Sequence, residues 1–388
     1  MGELSEISMP DSVSVITRVK ARNFRLFGRL KREFEVEQHG TDIRLVPVFP
    51  HRDYPLLRGF TVAANVLMIV MSGLLYRSAS RFSSIYSHNQ ECTLAGLVLG
   101  RLFGVPVTAD IHGDEVEENV AANDWRRDGL RHRFWKMIEG VAIRHPDLVI
   151  CVSNAHKDYL YSTYQRRGWT EIVPCCVSEE AFTCRPERDE VFRAFGIPNR
   201  AGVWLLYSGS VSRYQMLDRI SLFHQGLVKA GLDANLLLLI SDPESAVAAA
   251  KVVTGAGFER VVMLSVAHKD VPQISCVADV ALLFREDLPL NRISSPTKFA
   301  EYLAAGLPVI ITPFVGDYST AVRDCNLGQV VNIERISDPA YASEVMALIA
   351  ADATVRDRCR EYARSNLTWN SYSAILMKAY CLDGAGNH

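Results

Sequence analysis

The stretch from Ser294 to Thr312 holds the residues whose types and spacing are best suited to chemistry. It reads SSPTKFAEYLAAGLPVIIT, which predicts a helix with Ser295 at the N-cap and Pro296 at the first helical position. The start of a helix offers unpaired backbone N–H groups and the positive end of the helix dipole. Lys298 adds a full positive charge there, and Ser295 and Thr297 add hydroxyls. This combination suits the binding of a diphosphate.

Glu301 lies one turn further into the same predicted helix. Its carboxylate could accept hydrogen bonds from two vicinal hydroxyls, such as those of a ribose. Gly306 ends the helix, Pro308 prevents its continuation, and Val309 to Ile311 reads as a buried parallel strand. The same local pattern is also compatible with an ordinary capped helix of an α/β domain, in which Lys298 and Glu301 are solvated.

This stretch resembles the nucleotide-sugar site of retaining GT-B glycosyltransferases, above all those of family four, which elongate bacterial surface glycans. Members carry the pattern P-x-K-x-x-E-Y-x-A-x-G-x-P-V-I, and the resemblance implies that Glu301 binds the nucleotide ribose. Many members have an earlier glutamate that touches the donor sugar, and that position is Ile293 here. The resemblance covers nearly the whole chain.

The resemblance implies an α/β fold of GT-B architecture, in which two Rossmann-like domains face a central cleft. We expect an N-terminal acceptor-side domain at residues 1–180 and a C-terminal nucleotide-sugar-binding domain at residues 181–365. Residues 366–388 are expected to form a C-terminal helix that packs back on the N-terminal domain. The length of 388 residues is enough for two domains that each bury a core.

The loop after the predicted strand VWLLYS extends the resemblance to the diphosphate. Gly209 lets the backbone approach a ligand closely, while Ser210 and Arg213 could meet phosphate oxygens. In the family a lysine follows about five residues after the arginine, and this place falls near Asp218. Lys298 is therefore expected to compensate for the missing lysine.

Two further positions are assigned to the donor by the resemblance alone. His268 lies in the loop that passes the nucleobase in the family, and Asn291 lies where donor-sugar hydroxyls are expected. No metal and no cofactor is expected in the reaction, because GT-B enzymes generally need no bound metal and no D-x-D motif ends a strand in the C-terminal half.

Two histidines follow neighbouring predicted strands in the N-terminal half. His88, followed by Asn89, ends the first strand, and His112 ends the strand Val107 to Ile111. Ligands bind at the carboxyl edge of an open parallel sheet, so both histidines lie at the edge where a site is expected. The segment TADIHGDE resembles the family segment whose histidine faces the donor sugar and its phosphates, which implies that role for His112. His88 and Asn89 are acceptor-side candidates, and a structural role for His88 remains open.

Four carboxylates follow His112 within a few positions, namely Asp114, Glu115, Glu117 and Glu118. Such a cluster could suggest a metal site, but the resemblance argues against one. We expect a solvated acidic loop here. Glu115 and Glu118 are candidates for contacting an acceptor hydroxyl.

Composition excludes several classes of protein. The hydrophobic content of 48% is near the globular average, and the net charge of -2 argues against a nucleic-acid binder. The nine cysteines include no C-x-x-C pair, which favours buried thiols in a reducing compartment. No signal peptide is visible, since the first residues are acidic and lack an apolar core, and we expect a cytoplasmic protein.

Three segments could meet a membrane. The basic stretches 20–34 and 126–136 interleave arginine and lysine with apolar side chains, and both could face an anionic membrane surface. For 20–34, an acceptor-phosphate site and a solvated amphipathic helix are the alternatives. The uncharged segment 59–76 approaches the length of a bilayer span, but Asn65, Ser72 and two glycines dilute it. We expect a buried Rossmann-type helix there rather than an interfacial one.

The sequence therefore predicts transfer of a sugar from a UDP- or GDP-linked donor to a glycan or lipid-linked acceptor in cell-surface polysaccharide synthesis. The resemblance implies retention of the anomeric configuration. Arg213, Lys298 and the helix start would stabilise the departing diphosphate, and His112 is the third catalytic candidate. The alternatives are an epimerase or hydrolase of sugar nucleotides with the same fold, a non-catalytic subunit, and a basic membrane adaptor.

Overall fold

The computed structural model describes residues 14–20, 42–48, 58–77, 82–121, 125–183, 186–240 and 243–380. Most of the predicted basic segment 20–34 lies outside these ranges. The strands are β1 (Ser14–Lys20), β2 (Asp42–Val48), β3 (Ile85–His88), β4 (Val107–Ile111), β5 (Leu148–Cys151), β6 (Trp169–Ile172), β7 (Val203–Ser208), β8 (Ala234–Ile240), β9 (Val261–Ser265), β10 (Val280–Leu283), β11 (Val309–Ile311) and β12 (Gly328–Val330).

The helices of the described residues alternate with these strands, as expected for an α/β fold. They are α1 (Arg58–Arg77), α2 (Asn89–Phe103), α3 (Glu115–Ala121), α4 (Leu130–Arg144), α5 (Asn154–Tyr164), α6 (Arg188–Phe195), α7 (Leu217–Lys229), α8 (Pro243–Val252), α9 (Val271–Ser275), α10 (Pro289–Arg292), α11 (Thr297–Ala304), α12 (Tyr318–Asp324), α13 (Pro339–Ala350), α14 (Val355–Asn366) and α15 (Ser373–Tyr380).

Every strand pairing between these elements is parallel, and the strands form two larger sheets and one separate pair, β1 with β2. The N-terminal sheet has the order β3-β4-β5-β6, and the C-terminal sheet has the order β12-β11-β10-β7-β8-β9. The C-terminal order is that of doubly wound dinucleotide-binding sheets. Successive strands are added on one side of β7 up to β9 and on its other side from β10 onwards, so the strand order switches between β7 and β10. Ligands bind such sheets at the carboxyl ends of the two strands that flank this switch point.

The apolar runs in the sequence become central strands because helices cover both faces of each larger sheet. All seven residues of β8 are buried, for example, and two apolar clusters fill the two faces of the C-terminal sheet. The strands β6 and β12 have no comparable signal in the sequence. Both lie at a sheet edge, where polar residues are tolerated, and β6 reads WTEI.

The last helix returns to the N-terminal domain, as the sequence predicts. The ring of Tyr380 stacks on Tyr86 of β3 with a centroid separation of 4.5 Å. The hydroxyl of Thr108 in β4 donates a 3.0 Å hydrogen bond to the carbonyl oxygen of Ala379. The chain therefore crosses between the two domains twice, once before β7 and once after α14.

The two domains are also joined directly by hydrogen bonds. The Ser153 hydroxyl donates to the carbonyl oxygen of Ile293 at 2.9 Å. The carboxylate of Asp317 accepts from the backbone N–H groups of Asn154 at 2.6 Å and Ala155 at 3.1 Å. These contacts place the start of α5 against the segments that precede α11 and α12.

The prediction of a buried helix at 59–76 is correct for only one side of α1, because the other side is exposed. Asn65, Ile69 and Val70 are buried, whereas the side chains of Phe60 and Leu67 are 81% and 60% exposed. Of the helices that the structure describes, none combines the length and the apolar character needed to cross a bilayer.

Candidate functional site

The loop after β7 forms one wall of the candidate site. Gly209 has a φ of 144°, in the left-handed region that favours glycine. A Cβ atom at this position would lie 2.3 Å from Nζ of Lys298, although the two residues are far apart in the sequence. The missing side chain is therefore what lets the lysine reach the loop.

Lys298 lies in the first turn of α11, and its partly buried ammonium group is held by neutral groups. Nζ donates a 3.0 Å hydrogen bond to Oε1 of Gln215 and lies 4.6 Å from the ring centroid of Tyr207. Burial lowers the pKa of Lys298 well below its usual value, and the charge of Arg285 lowers it further, against the opposing effect of Glu301. A bound anion would restore the charged form.

Arg285 is a functional candidate that the sequence did not single out. It follows β10, and its side chain is buried at the carboxyl end of that strand. Among the described residues, Nε and Nη1 have no hydrogen-bond partner, and the guanidinium lies 5.5 Å from the ring centroid of Tyr214. Burial lowers the pKa of Arg285. The available signal was an arginine placed directly after a buried strand.

Lys298 and Arg285, here called the cation pair, therefore lie together at the switch point between β7 and β10. Two like charges that leave water lose hydration and repel each other, which costs several kcal/mol per ion when no counter-charge is near. Within the described residues, no carboxylate forms a hydrogen bond or ion pair with either group. The arrangement is suited to a multiply charged anion such as a diphosphate.

The contact between Gly209 and Lys298 leads to a first prediction. In Gly209→Ala the new methyl group must displace the ammonium group, so we expect affinity for UDP to fall at least about tenfold, or ~1.4 kcal/mol. Calorimetry with UDP measures this. Gly231→Ala is the matched control, since Gly231 also has a positive φ but open space around its Cβ position. Equal affinity losses in both variants would contradict the assignment.

The structure does not bring Arg213 to the cation pair. Its side chain is 79% exposed, and Nη2 lies 3.7 Å from Oε1 of Glu286. Ser210 is closer to the pair through Gln215, whose Nε2 donates to the Ser210 hydroxyl at 3.4 Å. The Ser210 hydroxyl also lies 3.1 Å from that of Ser212.

The start of α11 differs from the prediction of a Ser295 cap. The helix begins at Thr297, which is exposed, and Pro296 occupies the N-cap position. The buried Ser295 hydroxyl lies 2.6 Å from the Tyr318 hydroxyl and accepts from the backbone N–H of Cys175 at 3.0 Å. Tertiary partners have thus replaced the local cap, and Ser295 joins the two domains.

Glu301 and His268, which the sequence assigns to the nucleoside, lie side by side. His268 Nε2 is 3.0 Å from Oε1 of Glu301, and the two side chains are 85% and 11% exposed, respectively. A carboxylate in this place can accept further hydrogen bonds on its second oxygen. The pair is therefore available to vicinal hydroxyls that approach from the exposed side.

Asn291 has structural partners. It is buried, its side-chain amide donates to the carbonyl oxygen of Glu286 at 2.8 Å, and its own carbonyl accepts from the N–H of Gly316 at 3.1 Å. These bonds connect helix α10 to the loop before it and to the loop after β11. The burial of Asn291 leaves little of its side chain for a sugar.

His88 and His112 converge on one carboxylate, Asp110 of β4. Nε2 of His112 lies 3.0 Å from Oδ1 and Nδ1 of His88 lies 3.3 Å from Oδ2, with the two rings 4.7 Å apart. Hydrogen bonds to Asp110 and to the thiol of Cys175 raise the pKa of His112 to about 10 against the effect of burial. His112 is therefore a cation at neutral pH. Asp110, its partner, was missed by the sequence reasoning.

The His88–Asp110–His112 group is also the one place in the described residues where three potential metal ligands converge. Their ligand atoms lie within 4.8 Å of one another. Two imidazoles and one carboxylate could hold a transition-metal ion such as Zn²⁺. The hydrogen bonds to Asp110 account for the same geometry without an ion.

The other acceptor-side candidates lie near this edge of the sheet. The Asn89 side chain accepts from the N–H of Cys92 at 3.2 Å, so it caps α2. Glu115 and Glu118 are exposed on α3, and Glu115 lines a hollow together with Trp125 and Trp135.

The prediction of a solvated acidic loop is wrong for Asp114 and Glu117, which are 2% and 5% exposed. Lys136 of α4 forms ion pairs with both of them, at 3.5 Å for Glu117. The sequence could not show this because Lys136 approaches from a different element. The buried pairs fix the loop that carries His112.

Comparison with known proteins supports this picture of the two domains. Residues 11–176 match the family model of the Glycosyl transferase 4-like domain. The chain is similar to sucrose-phosphate synthase from Thermosynechococcus elongatus, with a TM-score of 0.69 at 16% identity over 96% of this chain and 98% of that one. No curated protein sequence matches the chain.

Two further solved structures are similar over almost their whole length. One is WaaG, a glycosyltransferase involved in lipopolysaccharide biosynthesis, with a TM-score of 0.63 at 17% identity over 96% of this chain and 100% of that one. The other is HepE from Anabaena in complex with UDP, with a TM-score of 0.64 at 13% identity over 94% of this chain and 98% of that one. The likeness establishes the fold, which is GT-B.

Proposed function

We propose that the protein is a glycosyltransferase that moves a sugar from a nucleotide diphosphate sugar to a glycan or lipid-linked acceptor. The observation that carries this proposal is the cation pair, because it lies at the switch point of the C-terminal sheet and, within the described residues, no carboxylate is hydrogen-bonded or ion-paired to it. The glycosyl transferase 4-like match to residues 11–176 supports the reaction class. HepE, a structural relative, has been solved with UDP-glucose, which supports a UDP-linked donor.

In this proposal the chain's own residues act mainly by electrostatics. The main barrier is departure of the sugar from its diphosphate, and the cation pair stabilises the negative charge that develops on the leaving group. Glu301 accepts from the ribose hydroxyls, beside His268. His112 contributes a positive charge from the facing domain, and its hydrogen bond to Cys175, whose backbone N–H donates to Ser295, links it to the segment before α11.

Retention of configuration is part of the proposal. Asp110 is held by His88 and His112, and the acids beyond it are either buried in ion pairs or exposed on α3. Among the described residues none of these carboxylates is presented as a nucleophile beside the cation pair. Attack on the same face as the departing diphosphate, with that phosphate as the base, fits this arrangement best.

The hollow lined by Glu115, Trp125 and Trp135 is the proposed acceptor site. It lies between α1, α2, α3 and α4, and Gln90, two residues after His88, is one of its lining residues. Aromatic rings and carboxylates are the groups that bind the apolar faces and the hydroxyls of sugars. A glycan end that enters here would approach the donor from the N-terminal domain.

The first test is a thermal-shift screen with UDP, GDP, CMP and their common sugars. A ligand present at ~100 times its dissociation constant adds ~2.7 kcal/mol of stability. We expect a shift with UDP or GDP and none with CMP. A folded protein that responds to no nucleoside diphosphate would remove the proposal.

Lys298→Ala is expected to lower turnover of the donor at least about tenfold, or ~1.4 kcal/mol in the barrier. It should also abolish proton uptake on binding of UDP. Uptake is expected because the lowered pKa of Lys298 leaves part of the lysine neutral at alkaline pH until an anion raises that pKa again. Calorimetry in buffers of different ionisation enthalpy measures the uptake. Wild-type turnover in the variant would contradict the assignment.

Ile293 favours a second candidate function, that of a nucleotide-binding subunit without turnover. It stands where many relatives have a glutamate for the donor sugar, and it is buried with its carbonyl bound to Ser153. This second function would be established if the protein binds a sugar nucleotide tightly and neither transfers the sugar nor hydrolyses the sugar nucleotide, even slowly.

A further inference from the structure

The N-terminal domain carries an apolar surface on three neighbouring helices. More than half of the large apolar side chains that are exposed in the described residues lie on α1, α2 and α4. They are Phe60, Leu67, Met71, Leu74 and Leu75 of α1, Val98 and Leu102 of α2, and Leu130, Phe134 and Met137 of α4. The remaining ones are scattered over both domains.

These side chains form stripes on their helices. On α1, Leu67, Met71 and Leu74 are spaced by four and then three residues. Leu130, Phe134 and Met137 of α4 have the same spacing, and Val98 and Leu102 of α2 are four residues apart. Residues at such spacing lie on one face of a helix. The opposite face of α1 packs on α2, where a Cβ atom at Gly73 would lie 2.6 Å from a methyl carbon of Leu99. Helix α2 also packs against α4, so the three stripes belong to one layer.

The exposed charge on this layer is entirely basic. Helix α1 has no acidic residue, and the acids of α2 and α4, Glu91 and Glu139, are 8% and 3% exposed. Arg101, Arg133 and Arg144 are exposed on α2 and α4. Apolar side chains that alternate with arginine are the pattern of an interfacial membrane surface, because anionic headgroups attract arginine while the apolar side chains enter the headgroup boundary. The exposed acids nearby, Asp128, Glu115 and Glu118, lie before α4 or on α3 and not on these three helices.

We propose that this layer, here called the α1/α2/α4 face, docks on the surface of an anionic lipid bilayer. The helices lie in the plane of the interface and do not cross it. A second copy of this chain is a poorer occupant, since a two-fold contact would bring the arginines of one copy towards those of the other. The proposal is independent of the nucleotide site, although docking would bring the acceptor hollow, to which α1, α2 and α4 all contribute, close to lipid-linked substrates.

The proposal extends the sequence prediction for residues 126–136 and changes it. Of that stretch, Arg127 is half exposed but ion-paired with Glu117, and Lys136 is largely buried, so neither charge is counted in the face. Leu130, Arg133 and Phe134 do belong to the face. The largest part of the apolar surface comes instead from α1, for which the sequence favoured burial.

The test uses the full chain and vesicles. We expect the protein to sediment with vesicles that contain phosphatidylglycerol and not with vesicles of phosphatidylcholine alone, with binding weakened by salt. Leu67→Glu should lower the partition coefficient at least about tenfold. Val247→Glu is the matched control, because both side chains are 60% exposed and Val247 lies on α8 of the other domain.

The outcomes are decisive. Loss of vesicle binding in Leu67→Glu but not in Val247→Glu supports the proposal, provided that both variants keep the thermal unfolding midpoint of the wild type in the absence of ligand. Equal binding by all three proteins, or no binding by the wild type at low salt, overturns it. A third result would also overturn the proposal. If the wild type is a dimer in light scattering and does not bind vesicles, and if Leu67→Glu is a monomer, the face holds a second copy of the chain. Failure of the nucleotide proposal would show separately, as a missing shift with UDP.

Discussion

Lys136→Ala is expected to lower the free energy of unfolding by about 3–5 kcal/mol, the usual cost of leaving buried charges without their partner. Lys136 Nζ pairs with Asp114, lies 3.5 Å from Glu117 and 3.7 Å from Glu139, and donates to the Tyr164 hydroxyl at 2.9 Å. The three carboxylates are almost fully buried. Without the lysine they would repel one another in a place that water does not reach.

The pH dependence of this loss follows from the sign of the shifts. Burial opposes the charge on Asp114, but Lys136 holds the pKa of that carboxyl below its usual value, whereas burial raises the pKa of Glu139. Without Lys136 both carboxyls should have raised pKa values. The difference in unfolding free energy between the wild type and the variant should therefore become smaller as pH falls, because the carboxyls of the variant take up protons.

Urea unfolding of Lys136→Ala and of Arg133→Ala provides the measurement. Arg133 lies on the same helix but is exposed, so its loss should cost little. Similar unfolding free energies for the two variants, or a deficit that grows at mildly acidic pH, would show that Lys136 does not neutralise the buried acids.

Arg285→Met is expected to lower turnover of the donor at least about a hundredfold, or ~2.7 kcal/mol, without lowering the stability of the free protein. The first effect follows if the guanidinium binds the diphosphate. The second follows because Nε and Nη1 have no hydrogen-bond partner in the described part of the chain, so these two donors gain a bond only when an anion binds. Removing it also removes repulsion with Lys298.

A structural arginine would behave in the opposite way, which makes the comparison of activity and stability the useful readout. Thermal unfolding with and without UDP should show an unchanged or higher midpoint for the free variant and a smaller shift with UDP. Arg292→Met is the control, since Arg292 lies in the following helix, is 58% exposed and pairs with Asp287 at 2.6 Å. A variant Arg285→Met that is destabilised and still binds UDP normally would refute the assignment.

Arg213 and Arg285 show which site residues sequence reasoning can find and which it cannot. Arg213 was chosen because it stands in a glycine-containing loop after a strand, which is a local pattern. Arg285 has no such pattern, yet it is the one that is buried next to Lys298. A guanidinium can point either way from its strand end, and that of Arg285 lies over the ring of Tyr214, a residue of the loop after β7.

The sequence by itself determined the alternation of parallel strands and helices, the returning C-terminal helix and the placing of Gly209, Lys298 and His112 at strand or helix ends. These features depend on apolar runs, turn residues and caps, which act over a few neighbouring residues. Only the tertiary structure decided which charged groups are paired, as with Asp114 and Lys136, and which have no carboxylate bound to them within the described residues, as with the cation pair. It also decided that α1 exposes an apolar side. Burial and charge pairing depend on residues distant in the chain, and no local pattern records them.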